Sequence, residues 1–426
     1  MFTDATVQEL RSLVALISQS LDTIESTTIA HSATFPSLRE PFTQESEAVR
    51  SLPEVAGACN VLISAAAQLI ASVRSPGMSA IMTGLQYEVS SALRTAIQLH
   101  VPEILQQTGP KSVAEVLQNP TAKHDGTPGT AALFEQLADH GLKASSYLYE
   151  SLVDERTRGS SEACDAAFSF FSGTTDTSFF DWIHGHGNEY QRKRFDISMN
   201  GAQKLAPLSL IFKGFDWNAL PSRSVVVDVG GGVGSQVLVL AKELNQLNFI
   251  VQDRESTVAD GEEYFKKEFP DALVSGRVKF QAHDFFAPQP VHAPSMFFLR
   301  RILHDWSDKD CVRILRQLRN AAGPHTQLMI LDTIMSYVCE EPLSGVPGAK
   351  AAPPPAPLIS NGGYAYSSDY MVDLAMMTLH NGVERTLPQF QELLAKSGWQ
   401  LSRVHRMQGF LSKIIAEPAT EELVAQ

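Results

Sequence analysis

Three observations predict an α/β fold with a mostly parallel sheet, preceded by a mainly helical N-terminal region. Short β-branched runs alternate with helical patterns from about residue 225 onward. The first of them, VVVDVGGGVG at Val225–Gly234, passes from a buried strand through a glycine-dense turn into a helix. Before residue 215 the apolar positions keep a helical spacing.

The elements follow in order. Leu10, Leu13, Val14 and Ile17 share one helical face within residues 1 to about 25. Pro36 and Pro41 mark a loop over 31–45. Helical patterns return at about 54–73 and 80–98, and SVAEVLQ reads as a further short helix. NPTAKHDGTPG, at 119–129, is turn chemistry. Residues 130–215 are mostly helical, interrupted by SGTTDTS, and the character changes at FDWNALPSRS. Strands are then expected at VVVDVG, FIVQD, VKFQAHD, MFFLRRIL and QLMILDTIM, with helices between the first pairs and up to Ala322. Residues 340–367 are dense in Pro, Gly and Ala and predict a mobile surface loop. A helix at about Leu387–Ser397 and two short strands close the chain.

The bulk properties set limits. At 426 residues the chain exceeds one ordinary core, so two domains, or one with an appendage, are expected. Hydrophobic content of 44% against 19% charged fits a globular protein. A net charge of -13 argues against a nucleic-acid partner, since phosphate binding needs clustered Lys and Arg. Cys59, Cys164, Cys311 and Cys339 are scattered, which argues against a metal site or a disulfide framework and suits a reducing interior. MFTDATVQEL has no basic-then-apolar pattern, so no secretory leader is expected there. The run Val55–Val73 is broken by Asn60, Ser64 and Gln68, and reads as a buried helix rather than a membrane span. A cytoplasmic protein is the expectation.

The glycine loop narrows the ligand. A dinucleotide pattern needs G-x-G-x-x-G; Gly230 and Gly232 fit, but Ser235 holds the third place. No G-K-[ST] follows. Asp228 precedes the glycines, and an acid there disfavours pyrophosphate and suits a cationic or hydroxyl-bearing end. Asp253 ends the next strand, where it can accept both ribose hydroxyls. Asp284 ends the strand after that and is followed by Phe285, an edge-and-face pair for adenine. Alone, each acid reads equally well as a solvated turn residue. Three at successive strand ends point to adenosine with a cationic tail, S-adenosylmethionine.

DVGGGVG, VQD, HDFF, LRRILHDWSD and NGVERT stand in the order and spacing of one family. From about Phe215 to Glu417 the chain resembles the class I S-adenosylmethionine-dependent O-methyltransferases of the plant caffeate/flavonoid and fungal secondary-metabolite type. The resemblance implies a Rossmann-like methyltransferase domain over 216–426, a helical connector at 151–215 that contributes to the acceptor pocket, and a dimerisation-like helical region at 1–150. LRTAIQLHVPEIL is similar to the start of the family's winged-helix region, and the rest of that module is shortened. A homodimer is the implied assembly.

By motif, the resemblance places Gly230, Asp253, Asp284, Phe285 and Arg300 at the cofactor; Asp228 and Gly232 belong to the same loop. It makes His304 the catalytic base, with Glu384 and Asp332 as flanking acids. Asp332 stands where Glu is commoner, so its shorter carboxylate reaches the imidazole through water. A neutral histidine can accept a phenol proton as the new bond forms, and a carboxylate on its other nitrogen fixes the tautomer. Phe180, Trp182, Met199, Met376, Met377 and Asn381 fall in segments that line the family's pocket for a small-molecule hydroxyl acceptor; at helical spacing they read equally as core. Asp305 or Ser307 is placed to cap the helix near Asp308, Trp306 to pack, and Arg301 has no assigned role. Two other readings stay open: a pericyclase- or dehydratase-like enzyme that uses the bound sulfonium as a fixed charge, and a non-catalytic cofactor-binding protein.

Overall fold

The computed structural model describes residues 3–37, 44–84, 86–98, 101, 104–105, 129–204, 208–339, 345–350, 352–407 and 411–419. Seven strands form one sheet in the order β3-β2-β1-β4-β5-β7-β6. They are β1 (Val225–Val229), β2 (Asn248–Asp253), β3 (Val278–Ala282), β4 (Met296–Arg300), β5 (Gln327–Asp332), β6 (Trp399–His405) and β7 (Ser412–Pro418). The first five are parallel, and β7 runs antiparallel between β5 and β6. The order reverses at β1, which pairs with β2 on one side and β4 on the other. Beyond the carboxyl ends of strands at such a switch point a crevice opens, where α/β sheets hold ligands.

Strand alternation builds two cores. Val227, Val229, Phe297, Leu299, Leu328 and Ile330 face one side, against the helices Asp308–Ala321 and Leu387–Lys396. Val226, Phe249, Val251, Met296, Phe298 and Met329 face the other, against Ser235–Glu243 and Glu255–Glu268. Both faces are covered, so the strands read as continuous apolar runs. The cap expected at Asp305 or Ser307 falls to Ser307, whose hydroxyl accepts from Asp310 N.

Helices dominate the described N-terminal residues. Thr3–Ala30 packs along Pro53–Val73 through Ile24, Val49, Val55 and Ala58. The helix at 53–73 corrects the expectation of full burial. It is long and apolar enough to cross a membrane, yet only one stripe is covered, and Ile63, Ile70 and Val73 are exposed. The expected segment 80–98 is helical over the described residues Pro76–Gly84 and Gln86–Gln98. The short helix SVAEVLQ, the turn at 119–128 and most of the winged-helix reading lie outside the described residues.

The Pro- and Gly-rich stretch also differs from a loose loop. Ala349 is buried, Val404 N donates to Pro347 O, and Arg406 Nε donates to Ala349 O at 2.6 Å. Further on, Gln68 donates to Pro357 O, the Ser64 hydroxyl donates to Gly362 O, and Asn60 donates to the Tyr366 hydroxyl. The stretch therefore pins the helix at 53–73 to the sheet-bearing part. Composition showed few large apolar groups, but backbone hydrogen bonds to distant partners do not need them. The helix that follows, Ser367–His380, lies between this stretch and GVERT.

Candidate active site

The glycine loop leaves β1 at the switch point. Gly230 N and Gly231 N both donate to Gln252 O on β2, which folds the loop over that strand. Gly230, at φ +69°, adopts a left-handed conformation that favours glycine, and a Cβ there would press on Ile302 and lie 3.7 Å from the Phe285 ring. Gly232 faces open space, with nothing within 4 Å of an added Cβ. Asp253 is tied to the loop, its Oδ2 accepting from Gly232 N at 2.8 Å. Asp228 lies buried under the loop, its carboxylate against Gly231. Burial and the Asp253 charge push its carboxyl up to about 7, against the pull of Arg300. Asp284 is exposed and caps its own turn by accepting from Phe286 N. Phe285 packs edge-on to Phe286 and Trp306. Arg300 ends β4 between Asp228 and Asp332, and burial with the neighbouring Arg301 pulls it down to about 10. A buried acid, a half-buried one, an open glycine and an aromatic edge fit an adenosine with a cationic tail.

The base candidate sits at the end of the next strand. His304 occupies a short 3-10 turn, Leu303–Asp305, just past β4, and is buried. Its Nδ1 lies 2.7 Å from Glu384 Oε1, across 80 residues of sequence. Both side chains are nearly inaccessible, at 8% and 1% exposure. Two features set this approach. Val383 N donates to His304 O at 2.9 Å, and a side chain at Gly382 would collide with that same oxygen. Arg385, 1% exposed, clamps the turn: its guanidinium donates to Leu303 O, Trp306 O and Asp308 Oδ1. Asp373 accepts from Glu384 N at 2.8 Å.

Asp332, 1% exposed at the end of β5, has no hydrogen-bond partner on either carboxylate oxygen. Burial pushes it up to about 6, while the nearby His304 pulls it down. Burial also raises Glu384 to about 7, with Arg301 the leading opposing charge. Arg301 itself, at φ +53°, leaves the strand line beside these acids. Asp305 does not cap; its Oδ1 lies 3.6 Å from His304 Nε2 and 3.8 Å from His380 Nε2. Arg385, Asp373 and His380 were missed in the sequence, although R of GVERT and H of HNGVER adjoin the motif.

The acceptor candidates divide. Phe180 stacks on His380, centroids 4.8 Å apart, and on Trp306 at 6.1 Å. Trp182 belongs to an aromatic cluster with Phe168, at 5.3 Å, and His140, at 5.4 Å. Met199 is 36% exposed on the helix Glu189–Lys204. Met376 and Met377 are half-buried, and their carbonyls accept from Gly382 N and Asn381 N to end the helix. Asn381, at φ +56°, is the left-handed cap residue, and its amide donates to Ser160 O and Glu162 O. That amide is thus committed to holding the 160–162 segment. Among the described residues, no group of three or more His, Cys, Asp or Glu could hold a metal ion.

Comparison with known proteins agrees with this geometry. A family model for the O-methyltransferase domain matches residues 149–345. An O-methyltransferase of Armillaria gallica is 35% identical over 450 residues, 93% of this chain and 95% of the relative. A 4-O-methyltransferase of Phanerochaete chrysosporium is 34% identical, covering 96% and 99%. Among solved structures, the mitomycin 7-O-methyltransferase has a TM-score of 0.62 at 22% identity, covering 83% of this chain and 99% of that one. A pericyclic reaction enzyme reaches 0.64 at 19% identity, covering 96% and 100%. At such identity the two structures share the fold with this chain.

Proposed function

The chain belongs to the class I S-adenosylmethionine-dependent O-methyltransferases of fungal secondary-metabolite type, and from that premise we propose that it methylates a hydroxyl of a small phenolic or polyketide-like acceptor with His304 as general base. The buried 2.7 Å contact between His304 Nδ1 and Glu384 Oε1 carries this reading. It makes Nδ1 the protonated nitrogen and leaves Nε2 with its lone pair. The acceptor O–H proton passes to Nε2, and the Glu384 carboxylate stabilises the imidazolium that results. Such general-base help is worth roughly 10²–10⁴-fold. Asp228, Gly232, Asp253, Asp284 and Phe285 would hold the cofactor, which when bound supplies an electrophilic sulfonium methyl. Arg300 neutralises acids on both sides of this site. Phe180 supplies an apolar wall beside the base, with Met376 and Met377 on the adjoining helix. Holding nucleophile and methyl in line supplies most of the remaining acceleration.

The test is incubation with the cofactor and a panel of phenols, catechols and flavonoid-like compounds, read by mass spectrometry for a methyl gain. His304→Ala should bind cofactor normally and lose turnover. Full turnover in that variant sinks the base assignment. A rearranged or dehydrated product without methyl gain would favour use of the sulfonium as a fixed charge, as in the alternative reading; the intact His304–Glu384 pair supports methyl transfer. The exposed apolar residues Leu21, Ile29, Ile63 and Ile70 on the N-terminal helices support a homodimer, which light scattering tests.

A further inference from the structure

The helix Pro53–Val73 carries three polar residues four apart on one face: Asn60, Ser64 and Gln68. In an apolar run they read as interruptions, yet each bonds a partner 289 to 306 residues away. Gln68 Nε2 donates to Pro357 O at 3.2 Å, Asn60 Nδ2 to the Tyr366 hydroxyl at 3.3 Å, and Ser64 Oγ to Gly362 O. Ser64 Oγ also accepts from Ala365 N at 3.3 Å. A serine inside a helix ordinarily bonds back to the carbonyl one turn earlier, as Ser72 does on this same helix, to Gln68 O at 2.9 Å. Ser64 instead is 2% exposed and caps the 3-10 turn Gly363–Tyr366 from outside it. Gly363, at φ +75°, comes so close that an added Cβ would lie 3.3 Å from the Ser64 side chain. That turn runs straight into the helix Ser367–His380.

We infer that Asn60, Ser64 and Gln68 are positioning residues for the acceptor pocket: they clip the turn ahead of Ser367–His380 to the N-terminal helix and so set the first two turns of the helix that carries Met376 and Met377. This rests on the proposed reading of that helix as a pocket wall. Its two ends are held differently. At the far end Thr378, Leu379 and His380 are buried, and the Asn381 amide is bonded to residues 160 and 162. Near the start Met371 and Leu374 are exposed. There the Tyr370 hydroxyl donates to Ser336 O at 2.7 Å, and the clip stands just ahead. Asp369 lies in these first turns on the same face as Met376, seven residues on, and the charges of Glu384 and Arg301 act on it. With the clip open the first turns loosen, and the acceptor meets a wall that is formed only part of the time. Apparent affinity then falls with the formed fraction. A bound acceptor restores the wall, so turnover at saturation holds. The clip's bonds involve neither β1 nor β2, where Asp228 and Asp253 stand.

Ser64→Ala opens the middle of the clip. With a phenol that the wild type methylates, its acceptor KM should rise roughly fivefold or more, the scale of one buried hydrogen-bonding group, while kcat stays within about twofold and cofactor affinity is unchanged. Asn60→Leu with Gln68→Leu removes the outer bonds, keeps a good helix former at both places, and should give the same split. That pair decides the matter if Ser64→Ala does not fold. A mere adhesive between the two parts of the chain would lower Tm in these variants without moving KM, and that result overturns the proposal. So does a loss confined to kcat. A readout without turnover is hydrogen exchange on the cofactor-loaded full chain. Amides of residues 367–371 should exchange roughly fivefold faster or more in Ser64→Ala, while those of β1, β4 and 376–380 keep their wild-type rates. Unchanged exchange at 367–371 overturns the proposal even if no phenol is methylated. Failure of the substrate panel alone refutes the proposed function instead.

Discussion

Glu384→Gln is the sharpest test of the proposed catalytic pair, His304 and Glu384. The substitution keeps size and shape, so the new amide oxygen can still accept from His304 Nδ1 across the 2.7 Å that separates the two groups. What it removes is the charge. A hydrogen bond to a charged group contributes about 1.5–3 kcal/mol and a neutral one about 0.5–1.5, so the imidazolium loses about 1–2 kcal/mol of support. Both side chains are out of water, so solvent does not screen that loss. If all of it appears in the barrier, kcat falls roughly 5- to 30-fold. Glu384→Ala should fall further, by roughly 10² or more, because it leaves the ring without an orienting partner. The pH profile adds a sign. Burial raises Glu384 to about 7, so the wild-type carboxylate is lost as pH falls through that region, and kcat falls with it. Glu384→Gln has no such carboxylate to protonate, so its acid limb should be shallower. The assay is S-adenosylhomocysteine release under saturating acceptor between pH 5.5 and 9, roughly the window in which histidine and raised carboxylates titrate. Wild-type kcat with an unchanged profile in Glu384→Gln would refute the reasoning.

Other outcomes follow from neighbouring residues. Asp332→Asn should stabilise the protein at pH 8 by about 3 kcal/mol and leave it essentially unchanged at about pH 3, below both values. The folded carboxyl stands at about 6 against an ordinary 3.8, so deprotonation costs the folded state as pH rises through that interval; Tm at both pH values checks it. Arg385→Met removes a buried cation and its bonds to Leu303 O, Trp306 O and Asp308, costing about 3 kcal/mol and loosening the His304 turn. A denaturant midpoint equal to wild type would contradict that role. Asp253→Ala should weaken cofactor binding by about tenfold or more in calorimetry, since it removes the proposed ribose acceptor and the tie to Gly232 N together. Gly230→Ala should bind cofactor less tightly at a cost of about 1–2 kcal/mol, because the left-handed backbone is strained with a Cβ; unchanged affinity would show that the loop can shift.

Much of this molecule is written locally in its sequence. The runs VVVDV, NFIVQD and MFFLR became β1, β2 and β4 because residues buried on both sheet faces must be apolar throughout. The glycine loop and the three acids were visible because backbone conformation and strand ends constrain residue type at fixed positions. Ser307 and Asp305 show where local reading stops. Both suit a cap, and only the direction of the chain after β4 decided that Ser307 caps while Asp305 turns inward. The same holds for Arg385, whose carbonyl partner Leu303 lies 82 residues away. The stretch before residue 367 looked loose because its composition is poor in large apolar groups, but its anchors are backbone oxygens meeting Gln68, Ser64 and Arg406. Sequence alone determined the sheet, the cofactor class and the candidate for the base. Tertiary structure decided what surrounds that candidate, because pairing between groups far apart in the chain depends on where the fold brings them, and no local pattern records that.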